Sequence, residues 1–280
     1  MKKLKVGIIG AGRIGQVHAK SITYHIPQAE ILAISDIYED GAAKVANELG
    51  IPAYYKDYHK ILENPDIDAV LICSGTDTHA DIACEAAAAG KHIFCEKPVD
   101  LTVAKIKKVI EAVDKAGVKL QIGFNRRYDH NFAQIKKLEQ DGKIGKLQTI
   151  KITSRDPEPP AIEYVKVSGG IFLDMTVHDF DMARFIGGEV EEVYANATVM
   201  VDPAIGEAGA VETVRSALLT TAARRLTAMI SALRFSARKG RQRQATTPPP
   251  MFCLLMKTAM FPINRSISSL KDICSPSPMK

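Results

Sequence analysis

The sequence predicts an α/β protein: a doubly wound parallel sheet first, then an α+β domain built on an open sheet. Three observations carry this. Strand-like apolar runs alternate with helix-like runs from Lys5 to Phe124, the pattern of parallel strands joined by helical crossovers. A glycine-rich turn joins the first such strand to the first helix. Past residue 124 the alternation gives way to a helix, an alternating strand and a cluster of prolines at 157, 159 and 160.

The first strand, Lys5 to Ile9, runs directly into Gly10-Ala11-Gly12-Arg13-Ile14-Gly15, and Ile14, Val17, His18 and Ile22 follow at helical spacing. Strand, G-x-G-x-x-G and helix in this order form the dinucleotide-binding fingerprint of a Rossmann domain. Gly10 permits the sharp turn, Gly12 lets the backbone approach a pyrophosphate, and Gly15 lets helix and strand pack closely. The N–H groups opening the helix then face the phosphates. A second strand from Ile31 ends in Asp36, placed to meet the adenosine ribose hydroxyls. Ile37 follows rather than arginine, so a 2′-phosphate would meet a carboxylate without a cation, and NAD is expected over NADP.

Further elements follow in order. A helix over 40–49 closes at Gly50, Tyr54-Tyr55 starts a short strand, and a short helix covers 58–63. Asp68 to Cys73 is apolar enough for a central parallel strand. The polar stretch Ser74 to His79 lies at its carboxyl end, followed by a helix over 80–89, a strand from His92 to Glu96, a helix over 103–116 and a strand over 119–124. The first domain is therefore 1–123. The second, from 124, has a helix over 131–140, a strand over 147–154, one helix from Ile171 to Phe185, and a strand over 191–201.

The length of 280 residues suits two domains, and no apolar run reaches membrane-spanning length. Five cysteines without paired metal spacing fit reduced thiols in a cytoplasmic protein. The net charge of +5 is unevenly spread. Residues 215–280 hold 12 Lys+Arg and one acid, Asp272, whereas residues 1–214 hold 25 basic and 31 acidic residues.

Ligands of doubly wound sheets bind beyond the carboxyl ends of the strands. Glu96-Lys97-Pro98 occupies such an end, which points Lys97 at the nicotinamide side of the crevice. On position alone a solvated lysine at a strand end is the lesser alternative. Asp174, His178 and Asp181 share one face of the helix over 171–185. A histidine can remove an alcohol proton while hydride leaves the carbon, and an aspartate one turn away can orient it. The same spacing also fits a core histidine, or metal ligands. No cysteine or second histidine joins the group, so no metal is expected. Arg126, Arg127 and Asp129, with Arg155 and Asp156, either hydrogen-bond a polyhydroxylated substrate or form ion pairs at a domain junction.

The segments GIIGAGRIGQVHA, SGTDTHAD, FCEKPVDL, GFNRRYDHNF and SGGIFLDMTVHDFDMARF together resemble the Gfo/Idh/MocA oxidoreductases, over about Lys5 to Val214. The E-K-P and D-x-x-x-H stretches are the most specific, and the likeness is greatest to members that oxidise the polyol myo-inositol to scyllo-inosose with NAD. The resemblance implies catalytic roles for Lys97, Asp174 and His178. His178 would be the base, Lys97 the partner of the reacting oxygen, and Asp174 the group that orients substrate and base. It implies that Gly10, Gly12, Arg13, Ile14 and Gly15 cradle pyrophosphate and Asp36 takes the ribose. Ser74, Thr76 and His79 would border the dinucleotide, Glu96 and Lys97 the nicotinamide ribose, and Arg127 and Asp156 the substrate. The implied partner is a small polyol, not nucleic acid or a membrane.

The likeness stops at about residue 214. Members of the family are longer by some tens of residues, continue with strands of a large sheet whose far face makes subunit contacts, and usually form homotetramers. Here residues 215–280 form an atypical basic segment without clean strand alternation. So abrupt a change of composition, mid-domain and without a linker, is what a shift of reading frame in the coding sequence produces. A divergent basic tail for anionic surfaces or nucleic acid, and an ordinary helical extension, are the alternatives. The frame-shift reading expects the second domain to be 124–214, its sheet ending after the strand near 191–201 or gaining at most one irregular strand, with assembly impaired.

Overall fold

A computed structural model describes residues 2–145, 147–156, 160–200, 202–211, 213–221, 227–233 and 253–255. Pro157, Pro159, Cys274 and most of the basic segment lie outside the described residues. The chain divides between Gly123 and Phe124 into two compact units.

In the first unit β1 (Leu4–Ile9), β2 (Ala29–Ser35), β3 (Ala53–Tyr55), β4 (Ala69–Ile72), β5 (His92–Cys95) and β6 (Leu120–Ile122) form one sheet in the order β3-β2-β1-β4-β5-β6. Every pairing is parallel. Five helices connect the strands: α1 (Arg13–His25), α2 (Glu39–Leu49), α3 (His59–Leu62), α4 (His79–Ala88) and α5 (Val103–Ala116). Both faces of the sheet are buried, so each strand needs apolar residues at successive positions. Val6 and Ile8 enter one core with Ile31, Ile34 and Leu71. Ile9 enters the other with Val70, Ile72 and Ile93. Strand order reverses between β1 and β4, where such sheets open a crevice at their carboxyl ends.

The second unit opens with a 3-10 turn (Asn125–Tyr128) and α6 (His130–Gln140), capped by Asp129, whose Oδ1 accepts from the N–H groups of Asn131 and Phe132 at 2.9 and 3.3 Å. Then follow β7 (Thr149–Arg155), α7 (Ile162–Ser168), α8 (Gly170–Asp174), α9 (Val177–Gly187), β8 (Val190–Thr198), α10 (Pro203–Glu207), β9 (Thr213–Thr221), β10 (Thr227–Leu233) and β11 (Cys253–Leu255). The sheet order is β11-β7-β10-β9-β8. β10 runs parallel to β7, and the other pairings are antiparallel. Ile150 and Ile152 of β7 pack with Met182 and Ile186 of α9 and with Val214, Ala217 and Ile230. On β8, Val193 and Tyr194 remain exposed.

Two expectations are corrected here. The segment 171–185 is not one helix. Gly169 and Gly170 take φ of 76° and 71°, which starts α8 afresh after α7, a helix the sequence reading did not include. Thr176, fully buried, then ends α8: its N–H donates to the Ile171 carbonyl at 2.8 Å and its hydroxyl to the Ile171 and Phe172 carbonyls. A threonine that returns its side chain to the preceding turn competes with helix continuation. Nor does the sheet end near 191–201. β9 and β10 continue it as an antiparallel pair with one register shift between Ile230 and Ala232, and Val214, Ala217 and Ile230 are buried in the core.

The glycine turn has little tolerance at two of its positions. A Cβ on Gly15 would lie 1.9 Å from the Gly10 carbonyl oxygen, a backbone atom with no freedom to swing away. Gly15→Ala should therefore destabilise the first unit by about 1–3 kcal/mol, read as a lower denaturation midpoint. An unchanged midpoint would show that strand and helix can separate without cost.

Candidate active site

In the first unit the glycine turn and the loops after β4 and β5 meet at the carboxyl end of the sheet. Gly10, at φ 103°, lies so close to the end of β4 that a Cβ would approach the Cys73 carbonyl to 2.5 Å. Gly12 caps α1 with no side-chain hydrogen bond and no acid in the first turn. A Cβ there would meet nothing within 4 Å. Open space before uncapped helical N–H groups is what a bound pyrophosphate requires. Arg13 and Ile14 open the helix and are exposed. Asp36 follows β2; its Oδ2 accepts from Ala11 N–H at 2.7 Å and its Oδ1 from Tyr38 N–H at 2.9 Å. The carboxylate is thereby fixed against the turn, and its neighbours Ile37 and Tyr38 are exposed and uncharged. These residues fit NAD.

Ser74 and Thr76 are half-buried in the loop after β4, where Ser74 Oγ lies 2.7 Å from Thr78 Oγ1. His79 is engaged by two main-chain carbonyls. Buried at 2% exposure, it places Nδ1 2.8 Å from the Pro98 carbonyl and Nε2 3.1 Å from the Ser74 carbonyl. It braces the two loops from beneath. Glu96 is also engaged: Oε1 lies 2.7 Å from His18 Nε2, and the carboxylate covers Gly123, where a Cβ would sit 2.9 Å from Oε2. His18, which the sequence reading used only for helical spacing, thus ties α1 to the E-K-P stretch. Its ring meets Phe94 edge-on at 5.0 Å. Lys97 is half-buried beside it. Burial pushes the Cys73 and Cys95 thiols upward, which keeps them protonated and unreactive.

In the second unit the acids of α8 and α9 separate into two kinds. Asp179 is fully buried. Arg126 Nη1 and Ser154 Oγ, the latter at 2.6 Å, both donate to its Oδ1. Its Oδ2 has no hydrogen-bond partner among the described residues. Desolvation raises this carboxyl above the usual range, against the opposing pull of Arg126. Asp181, at 7% exposure, takes Arg127 in a bidentate fork, Nε at 2.9 and 3.0 Å and Nη2 at 2.6 Å. That pairing holds the guanidinium charged, and it lies 5.8 and 5.3 Å from the Phe124 and Phe185 ring centres. Of the two roles open to Arg126 and Arg127, the structure shows ion pairs. Asp181 leaves the candidate face for the same reason. Asp174 and His178 instead are half-buried, and Tyr164 of α7 donates to Asp174 Oδ1 at 2.9 Å. Asp156 is exposed just past β7.

Residues 4–124 match the oxidoreductase family with an NAD-binding Rossmann fold, and residues 132–245 match the GFO/IDH/MocA C-terminal domain. The chain belongs to the Gfo/Idh/MocA oxidoreductases. Its family likeness therefore continues past residue 214, through β9 and β10. The myo-inositol 2-dehydrogenase of Thermotoga maritima is 51% identical over 211 residues, which is 75% of this chain and 63% of that protein. The chain thus spans less than two thirds of that relative's length. A myo-inositol dehydrogenase structure from Corynebacterium glutamicum superposes with a TM-score of 0.78 at 35% identity, covering 84% of this chain and 69% of that one. The Lactobacillus casei scyllo-inositol dehydrogenase with bound NAD(H) and scyllo-inositol gives 0.77 at 33%, covering 84% and 71%.

Two outcomes follow for the cofactor. Gly12→Ala should leave the denaturation midpoint unchanged, since the space is open, yet weaken NAD roughly 10- to 100-fold by intruding on the pyrophosphate. A lowered midpoint, or unchanged affinity, would contradict the assignment. NAD should bind tighter than NADP by on the order of 10²-fold, because a 2′-phosphate would face Asp36. Titration with both cofactors checks this, and Asp36→Ala should narrow the gap.

Proposed function

We propose that this chain oxidises a secondary hydroxyl of a cyclic polyol, myo-inositol, to the ketone with NAD as acceptor. One observation carries the reading. Among the acids between residues 174 and 181, the two on α9 are buried against arginines, whereas Asp174 is half-buried, as is His178. The family's D-x-x-x-H residues are thus less buried than the two acids paired with arginine. Relatives named for inositol oxidation support the substrate class.

Oxidation of an alcohol removes a hydride from carbon and a proton from oxygen. NAD, when bound, supplies the hydride acceptor. His178 takes the proton, since imidazole is the side chain that changes charge near neutral pH. The Lys97 ammonium hydrogen-bonds the reacting oxygen and opposes the negative charge that gathers there as the proton leaves. Asp174 accepts hydrogen bonds from ring hydroxyls and fixes which carbon faces the base. Asp156 completes the polar lining. Among the described residues no helix is long and apolar enough to cross a membrane. A cytoplasmic setting belongs to this reading, and the free thiols of Cys73, Cys84 and Cys95 are compatible with it.

The test is NADH formation with myo-inositol and scyllo-inositol as separate substrates. The wild-type chain should reduce NAD with at least one isomer. His178→Ala should lower turnover by on the order of 10²–10⁴ while leaving NAD affinity unchanged. A chain that binds NAD but turns over neither isomer would remove this reading.

A further inference from the structure

Helix α1 buries Gly15, Ala19 and Ile22. His18 falls on the same stripe by spacing, where an apolar residue would serve packing alone. Its ring does pack, edge-on to Phe94 at 5.0 Å. Its Nε2 also lies 2.7 Å from Glu96 Oε1. A carboxylate only accepts hydrogen bonds, so Nε2 carries the hydrogen and donates it.

The main chain of Glu96 is fixed by the sheet. Its N–H donates to the Ile72 carbonyl at 3.0 Å, and its carbonyl accepts from Cys95 Sγ at 3.3 Å. Neither bond orients the carboxylate, which hangs on a long side chain with much rotamer freedom to lose. Two neighbours settle its place. Gly123, with no side chain, leaves room for it, since a Cβ there would sit 2.9 Å from Oε2. His18 draws it toward α1, and is the hydrogen-bond donor to this carboxylate among the described residues. Each carboxylate oxygen can accept twice, and the side chain keeps 14% exposure, so the group can also accept from a ligand.

The topology says which part of a ligand lies there. β2 stands on one side of β1, and β4 and β5 stand on the other. In the NAD assignment the adenosine ribose meets Asp36 after β2, and the pyrophosphate meets the start of α1. The nicotinamide half then runs to the opposite side, toward the ends of β4 and β5, where Glu96 stands. We propose that His18 is a positioning residue of the cofactor site, which holds the Glu96 carboxylate against the ribose next to the nicotinamide. One helix then serves both halves of the dinucleotide, the pyrophosphate through its N–H groups and the second ribose through His18. The inference depends on the NAD assignment and not on the polyol.

The experiment compares the affinities of NADH and ADP, which requires no turnover. ADP has the adenosine and the pyrophosphate but no nicotinamide ribose. His18→Phe keeps a ring against Phe94 and removes the donor. It should weaken NADH about ten-fold, the lower end for a hydrogen bond to a charged group, and change ADP by less than about two-fold. His18→Gln, which restores an N–H donor, should recover most of the NADH affinity. In a Glu96→Ala background His18→Phe should change NADH affinity by less than about two-fold, because the acceptor is gone. Equal losses for NADH and ADP would show that His18 merely supports α1, and would overturn the proposal. Unchanged NADH affinity in His18→Phe would overturn it too, as would an undiminished loss in the Glu96→Ala background. A wild-type chain that binds no NADH would remove the cofactor assignment and this proposal together.

Discussion

Backbone packed directly on backbone is the constraint from which the first unit is built. At Gly10 the chain lies against the end of β4, and at Gly15 the first helix lies against Gly10 itself. No side chain fits at either place. Between them Gly12 faces open space, although its neighbours are crowded. The contrast separates two uses of one residue type in a single hexapeptide. Two glycines let elements of the protein approach each other, and the third leaves room for something that is not protein. The close contact also aims the first helix, so that its free N–H groups lie at the crevice where strand order reverses.

The second unit relies on charge rather than close backbone contact. Arg126 and Arg127, adjacent in sequence, reach Asp179 and Asp181, two positions apart on α9. A buried pair of this kind gains little net stability over apolar packing, but losing one partner is costly. The two pairs join the 3-10 turn at 125–128 to α9. Ser154 joins the same carboxylate from β7, so turn, helix and strand converge on one acid. Asp174 and His178, in the same segment, are half-buried instead.

The first unit was legible because its central strands β1, β4 and β5 are buried on both faces and so read as apolar runs, bounded by glycines whose positive φ the fold uses. The second was less so. The spacing of Asp174, His178 and Asp181 fits a continuous helix, and nothing in a lone threonine announces that Thr176 turns back on Ile171. Asp181 and Asp174 look alike in sequence; what separates them is the partner each finds after folding. β9 and β10 were missed because their buried positions include a residue as small as Ala217, which gives almost no alternation of hydropathy. His79 and Glu96 were picked out by motif, yet their observed contacts are with Pro98, Ser74 and His18. No local pattern encodes such pairings between distant positions.

The imidazole of His79 has a consequence for ligand recognition. Both of its partners are main-chain carbonyls, so no substitution at Ser74 or Pro98 deletes an acceptor. The loops after β4 and β5, far apart along the chain, are thereby linked through one side chain. Much of the ordering that two mobile loops would undergo on meeting a ligand is completed when the chain folds. A molecule touching both loops loses correspondingly less conformational entropy on arrival.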